Sequence, residues 1–271
     1  MFLSVTRYCL HQISLPLIAL LMLASAATAQ VDTIDQQHVK LNTAYLRPGI
    51  RQYLVYFQIP RQPQLLYLSL WVRQIEKTTL HNQPAFRISQ QWYSQDSTRY
   101  ASFTSYNSVK DFSPLYHAAV RGKELTAYNW SATSLSGDTT AGNKAAGFRL
   151  DFSQPNYNWH LDIETFEMLP LAAGKTFVIR FYDAGLEPPK YVTYKVTGSE
   201  VLQTLDNKNV DCWKLFIEGE SPQAGHYEQT FWISKSNHEL LKEEDSYGGM
   251  FRYKIKLPGF TQELGKRFKT E

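Results

Sequence analysis

Acidic and imidazole side chains that could act together occur at two places in the sequence. The first holds His160, Asp162 and Glu164, whose spacing of two puts all three on one face if the segment is a β-strand. An imidazole beside two carboxylates can coordinate a divalent cation or transfer protons. The same residues alternate with apolar ones, however, which is the pattern of a half-buried strand. The preferred interpretation is therefore a solvated strand face.

The second place is the run Glu243, Glu244 and Asp245, in which the first and third side chains would share a strand face. Glycosidases use two carboxyl groups, but these must flank the substrate from opposite sides. Acidic residues near a hairpin are usually solvated. We therefore expect no catalysis by this run.

Other signatures of catalysis and metal binding are missing from the sequence. It contains no Gly-x-Ser-x-Gly elbow, no glycine-rich phosphate loop and no His or Cys pair at zinc-site spacing. We therefore expect a protein that is not an enzyme and that uses neither a cofactor nor a metal. Cys212 is predicted to be a small buried side chain rather than a reactive thiol.

Residues 1–29 have the three parts of a secretory signal peptide. Arg7 precedes an uncharged apolar segment at 17–27, and Ala27 and Ala29 are small residues at the positions that signal peptidase reads. The segment is shorter than the roughly 20 residues of a membrane-spanning helix. The sequence predicts cleavage after Ala29 and a periplasmic protein without an integral membrane span in the mature chain. Secretion is the alternative destination.

Alternating apolar and polar residues predict strands over most of residues 30–271. The clearest alternation is seen at Phe177, Ile179 and Phe181, and at Phe251, Tyr253 and Ile255. A period of two places one face of a sheet on a core, and turn residues between the strands favour an antiparallel sheet. We expect one mostly β domain, built as a large curved antiparallel sheet or half-open barrel with few short helices. A division into two lobes near 184–190 is an alternative.

Seven segments of the C-terminal half resemble a known family. They are 158–165, 169–171, 174–177, 191–198, 211–213, 230–235 and 251–257. In this order they resemble a domain-of-unknown-function family of exported bacterial proteins that is common in Bacteroidetes. The strands of that family are similar to those of periplasmic lipoprotein carriers (LolA-like proteins). The resemblance covers roughly 148–257. It implies a strongly curved antiparallel sheet with an apolar concave face, and it supplies no catalytic residues.

Aromatic residues are abundant, with 6 Trp, 17 Tyr and 15 Phe. Most would pack against cross-strand neighbours. In a half-open barrel, those pointing inward would form an apolar wall suited to acyl chains. The candidate ligand-binding residues are Trp159, Phe177, Phe181, Trp213, Phe231, Tyr253 and Ile255. The alternative is a fully packed core without a cavity.

These observations favour a cell-envelope protein that binds or carries an apolar or amphipathic ligand, such as a lipid or a lipoprotein. One alternative is a structural or interaction module that contacts an envelope protein during envelope assembly. Another is a glycan-binding or glycan-acting protein. A nucleic-acid partner is not expected, because the formal net charge of +3 is not concentrated in a basic stripe.

Overall fold

The structure is a computed structural model that describes residues 31–35, 38, 41–185, 188–221 and 225–260. The predicted signal peptide, residues 1–29, lies outside the described residues. Within the described ranges, no helix is both long enough and apolar enough to cross a membrane.

Strands dominate the described part of the chain. They are β1 Val31–Ile34, β2 Gly49–Gln58, β3 Leu66–Leu80, β4 Gln83–Ser94, β5 Ala101–Ser108, β6 Pro114–Arg121, β7 Glu124–Trp130, β8 Ser134–Gly137, β9 Arg149–Asp151, β10 Tyr157–Asn158, β11 Thr176–Tyr182, β12 Lys190–Gln203, β13 Asn209–Ser221, β14 Gly225–Ser234, β15 Leu240–Tyr247 and β16 Met250–Lys256. Among the described residues, one α-helix, α1, spans Asp162–Glu167, and 3-10 helices span Thr43–Tyr45, Ser97–Arg99 and Trp159–Leu161.

All of these strands belong to one large curved sheet. Its order is β1-β11-β12-β13-β14-β15-β16-β2-β3-β4-β5-β6-β7-β8-β9, and β10 pairs with β11. The named strand pairs are antiparallel except for β1 with β11 and β10 with β11. The predicted fold class, a mostly β protein with a large curved antiparallel sheet and few short helices, is confirmed. The division near 184–190 remains a prediction, although the strands on either side, β11 and β12, are hydrogen-bonded neighbours.

The buried face of the sheet follows the predicted alternation in the C-terminal half. On β12, Val192, Tyr194 and Val196 are buried, whereas Thr193 and Lys195 between them are exposed. The register continues the same face onto β11, where Phe177 pairs with Tyr194. These side chains belong to the main hydrophobic core. We call this side of the sheet the inner face.

Helix α1 covers part of the inner face. Its Phe166 ring lies 4.7 Å from Tyr194 and 4.8 Å from Phe231, measured between ring centroids. The strand predicted for residues 159–164 is therefore wrong. The Asn158 side chain accepts a hydrogen bond from the backbone N–H of His160 at 3.0 Å, as a helix-capping residue does. Beyond this cap, Ile163 and Phe166 point towards the core at helical spacing, and both are buried.

The prediction that Phe251, Tyr253 and Ile255 of β16 face the core is also wrong. Lys254 is only 3% exposed, whereas Phe251 is 38% exposed. The register pairs Lys254 with Val55 on one side and with Glu243 on the other, and both partners are buried on the inner face. Burial of the lysine is tolerable because a carboxylate compensates its charge.

Candidate functional site

Two adjoining cavities lie on the inner face, where β2, β3, β4 and β16 are neighbours. The larger one, which we call the outer cavity although it lies on the inner face of the sheet, has a volume of about 520 Å³. It is lined mainly by apolar side chains: Phe57, Ile59, Tyr67, Trp71, Trp92 and Met250. The inner cavity has a volume of about 240 Å³ and is largely polar, with Arg73, Gln90, Asp162, Gln229, Arg252 and Lys254 in its lining. Trp71, Trp92 and Arg252 line both cavities, so that the two share a wall.

Two tryptophans form the shared wall. Trp71 on β3 and Trp92 on β4 are directly opposite each other in the register, and their rings stack at 4.0 Å with an interplanar angle of 5°. The Lys254 ammonium group lies 4.8 Å from the centroid of the Trp71 ring. A cation over an indole ring is favourable. The wall therefore presents an apolar surface to the outer cavity and a cation beside it to the inner one.

The cations of this wall are held in place by buried carboxylates. Arg252 donates hydrogen bonds to Asp245 and, at 2.6 Å, to Glu243, and Lys254 donates to Glu243. Glu243 and Asp245 are 1% and 2% exposed. The interpretation of this acidic run as solvated is wrong, because the register places Glu243 opposite Lys254 and Asp245 opposite Arg252 on the inner face.

The two carboxylates differ in their affinity for protons. Burial alone would raise the pKa of Glu243, but the charges of Lys254 and Arg252 outweigh it and lower the pKa to about 2. Burial, together with the neighbouring Glu243 charge, raises the pKa of Asp245 to about 7 against the opposing effect of Arg252. Close carboxylates in a dry site do not both ionise easily. The pair therefore holds one proton more readily than isolated carboxylates would.

A second ion pair connects helix α1 to the cavity. Arg73 on β3 donates to Glu164 at 2.8 Å and to the carbonyl of His160 at 2.9 Å, and Gln90 donates to the same carbonyl at 2.8 Å. Burial raises the pKa of Glu164 although Arg73 opposes the shift. Asp162 lines the cavity, and desolvation raises its pKa against the charge of Lys254.

His160, Asp162 and Glu164, the trio for which metal or acid–base chemistry was the alternative to a solvated strand face, do not share one face. His160 and Asp162 line the inner cavity, but Glu164 is turned to Arg73, and the His160 Nε2 lies 3.3 Å from an oxygen of Asp183. Among the described residues, the carboxylate and imidazole groups that come close enough to hold an ion are Glu218, His226 and Glu228. All three are exposed on the β13–β14 hairpin.

The seven ligand-binding candidates are distributed over both faces. Phe177, Phe181 and Phe231 are fully buried, and Trp213 packs against the same core. Trp159 also packs there, and it is the candidate that lines the inner cavity.

The other two candidates, Tyr253 and Ile255, lie on the opposite face, which we call the outer face. Tyr253 stacks on Tyr56 at 4.8 Å, and Ile255 lines a groove of about 370 Å³ near the β12–β13 turn. Ligand contact by the seven residues remains a prediction.

Sequence reasoning missed most of the residues that line the cavities. The alternation on β16 assigns Arg252 and Lys254 to the solvated face, and no pattern in the sequence singles out Arg73. Their signal is weak, because each is a basic residue whose acidic partner lies on another element. Arg73 pairs with the distant Glu164, whereas Arg252 and Lys254 pair with acids on the neighbouring strand β15. By contrast, the prediction for Cys212 is confirmed, because this residue is fully buried and burial raises its pKa to about 11.

The stability of the protein should depend on pH through Asp245. A carboxyl group whose pKa is raised by folding stabilises the folded state fully only below its ordinary value, here 3.8, and this contribution is lost as the pH rises through about 7. The change Asp245→Asn keeps an acceptor for Arg252 but removes the titration. We expect the stability of the natural protein to fall relative to that of D245N between about pH 5 and about pH 8. Urea unfolding at both pH values measures this difference, and parallel pH profiles of the two proteins would contradict the prediction.

Comparisons with known proteins give a family and a fold. The family model DUF3108, described as a protein of unknown function, matches residues 52–256. No curated protein matches the chain. A crystal structure of a β-barrel-like protein of the domain of unknown function DUF1849 from Brucella abortus is similar, with a TM-score of 0.50 and 9% sequence identity. The similarity covers 78% of this chain and 97% of that chain. The expected resemblance to a family of unknown function is confirmed, whereas the Bacteroidetes origin and the LolA-like architecture remain predictions.

Proposed function

The chain belongs to the DUF3108 family of proteins of unknown function, and we propose that it binds an amphipathic molecule on the inner face of its sheet without transforming it chemically. The observation that supports this most directly is the pair of adjoining cavities, one apolar and one polar, with Trp71, Trp92 and Arg252 in common. An apolar chain would occupy the outer cavity, and its polar head group would occupy the inner one.

The sizes of the cavities suit such a ligand. Pockets for small molecules usually have volumes of roughly 300–1,000 Å³ and combine apolar walls with a few polar groups that fix the orientation. The outer cavity alone, at about 520 Å³, falls in this range. The smaller cavity of about 240 Å³ adds room for a head group.

The arrangement of the charges supports binding rather than catalysis. A general acid or base must reach the substrate with a proton to give or accept. The carboxylates of Glu243 and Asp245 instead face Arg252 and Lys254, and they do not contribute to the cavity lining. The acids that do line it, Asp162 and Asp183, already have partners in the Ile163 N–H and the His160 ring. Their role in this proposal is to fix the cations that do line the cavity.

The cellular setting is part of the proposal. Residues 1–29 have the pattern of a secretory signal, and on that basis we place the protein in the periplasm, with a lipid or the lipid moiety of a lipoprotein as its ligand. The C-terminal segments resemble a family whose strands are similar to those of periplasmic lipoprotein carriers, and this resemblance supports the same setting.

Filling the outer cavity should weaken binding. Ser69 on β3 lines this cavity, whereas the preceding Leu68 lies on the outer face and is 39% exposed. Ser69→Trp should reduce the affinity for single-chain amphiphiles about tenfold or more, because an indole would occupy the space of the apolar chain. Leu68→Trp introduces the same group on the other face and should leave the affinity unchanged.

Binding can be measured from the fluorescence of the cavity tryptophans while dodecanoic acid, its glycerol monoester, monododecyl phosphate and dodecylamine are titrated separately. Saturable binding of at least one of them, weakened by S69W but not by L68W, is the expected result. If none of the four binds to the natural protein, or if both variants bind as it does, the proposed function is wrong.

A further inference from the structure

We propose that the inner cavity receives an anionic head group, a carboxylate or a phosphate. This inference rests on the proposed function and specifies the polar end of the ligand. It depends on which groups the cavity presents, which groups are hidden behind them, and which polar atoms lack a partner.

The inner cavity presents cations and conceals most of their counter-charges. Arg73, Arg252 and Lys254 line it. Their carboxylate partners, Glu164, Glu243 and Asp245, are not part of the lining and are at most 2% exposed. The buried acids balance the cations and hold them in position, and the three basic residues form part of the wall that a ligand would contact. Guanidinium and ammonium groups fixed in this way are suited to carboxylate and phosphate recognition.

Two further donors at the same place lack acceptors. The Nε of Arg73 and the indole Nε1 of Trp92 are buried and have no hydrogen-bond partner among the described residues. Both residues line the inner cavity. A buried donor without a partner costs free energy, which an acceptor on a ligand removes once small side-chain shifts expose these N–H groups to it.

A cationic head group fits the same space less well. The acids in the lining are Asp162 and Asp183, and both already have partners: Asp162 accepts from the Ile163 N–H at 2.7 Å, and Asp183 lies 3.3 Å from the His160 ring nitrogen. A ligand ammonium would therefore compete for acids that are already engaged, and it would face three fixed cations at close range. Like charges in a poorly solvated site repel strongly.

The charged groups around Asp245 couple the binding of an anion to the uptake of a proton by Asp245. Asp245 faces Arg252 and Lys254 on β16, Glu243 on its own strand and Gln229 on β14. An anion bound to Arg252 offsets part of the positive charge that stabilises the Asp245 carboxylate. The Asp245 carboxyl group therefore takes up a proton more readily when the anion is bound. Binding of an anionic amphiphile should therefore become tighter as the pH falls below about 7, where Asp245 is protonated. The neutral ester should show no such dependence.

The test uses the four amphiphiles named above, which share one chain and differ in their head groups. Dodecanoic acid or monododecyl phosphate should bind roughly tenfold or more tightly than the glycerol monoester, and dodecylamine should bind most weakly. If both anions bind equally, the site recognises charge alone, and if one is preferred, the comparison identifies which acid the site selects. Both results support the inference.

A charge placed in the lining provides the matched variants. Gln229→Glu adds a carboxylate to the inner cavity with little change in shape, whereas Thr230→Glu adds the same charge on the outer face. Q229E should weaken binding of the anions roughly tenfold and spare the neutral ester, and T230E should bind as the natural protein does. Preferential binding of the amine or of the ester, or equal effects of Q229E on acid and ester, would overturn the anionic head group while leaving the proposed function intact. Failure of all four amphiphiles would overturn the proposed function itself.

Discussion

Replacing Phe166 by alanine should lower the free energy of unfolding by about 3–5 kcal/mol, the usual cost of removing a buried phenyl ring. The ring is fully buried at the centre of an aromatic cluster. Its centroid lies 4.7 Å from Tyr194, 4.8 Å from Phe231 and 6.3 Å from Phe181, which are residues of three different strands. Truncation would leave a cavity among side chains that the sheet holds apart, so that little collapse can compensate for the loss.

The shortness of helix α1 increases the contribution of Phe166 to its stability. Helix α1 has six residues, far fewer than a helix needs to be stable alone in water. Its position therefore depends on packing, to which Phe166 contributes the largest side chain.

Urea unfolding followed by tryptophan fluorescence measures the loss in F166A. Phe251→Ala is a suitable control, because Phe251 is 38% exposed on the outer face and its truncation should cost less than about 1 kcal/mol. Equal losses in the two variants would show that α1 is not anchored through Phe166.

Much of the sheet could be predicted from the sequence, because its strands in the C-terminal half obey a simple period of two. On β12 the apolar residues Val192, Tyr194 and Val196 all face the core, as their spacing indicates.

The charged part of the candidate site could not be predicted in the same way. On β16, a period of two is present, but the residues that face the core are Arg252 and Lys254 rather than the apolar set. Hydrophobic periodicity assigns charged residues to water. Only the pairing of β15 with β16 shows that Glu243 and Asp245 can compensate these charges, and pairing is a property of the folded sheet rather than of either segment.

The strand prediction for residues 159–164 was wrong for a related reason. Residues 159–164 alternate as a strand would, yet capping of the 3-10 helix by Asn158 and burial of Glu164 against Arg73 favour helical structure. A capping side chain and a long-range ion pair outweighed a local pattern of only six residues. The inner cavity depends on this outcome, because His160 and Asp162 enter its lining through these helical turns.

Removing one member of the Arg73–Glu164 ion pair is expected to cost much more than removing both. Arg73→Met leaves Glu164, only 1% exposed, without its counter-charge, and the expected loss is about 3–5 kcal/mol of unfolding free energy. The double variant Arg73→Met with Glu164→Gln removes the uncompensated charge and should recover most of the loss. A buried pair replaced by neutral side chains of similar size is often close to neutral in stability.

An Arg–Glu ion pair on the surface is a control that distinguishes the effect of burial on stability from the effect of ion pairing itself. Arg87 and Glu76 lie 3.2 Å apart on the adjacent strands β4 and β3, but their side chains are 44% and 40% exposed. Arg87→Met should therefore change stability by less than about 1 kcal/mol, since exposed ion pairs contribute little. Urea unfolding of R73M, of the double variant and of R87M at one pH measures all three effects. A double variant as unstable as R73M would show that Arg73 acts through its bond to the His160 carbonyl rather than through Glu164. In that case, the counter-charges behind the inner cavity would not be what holds its cations in position.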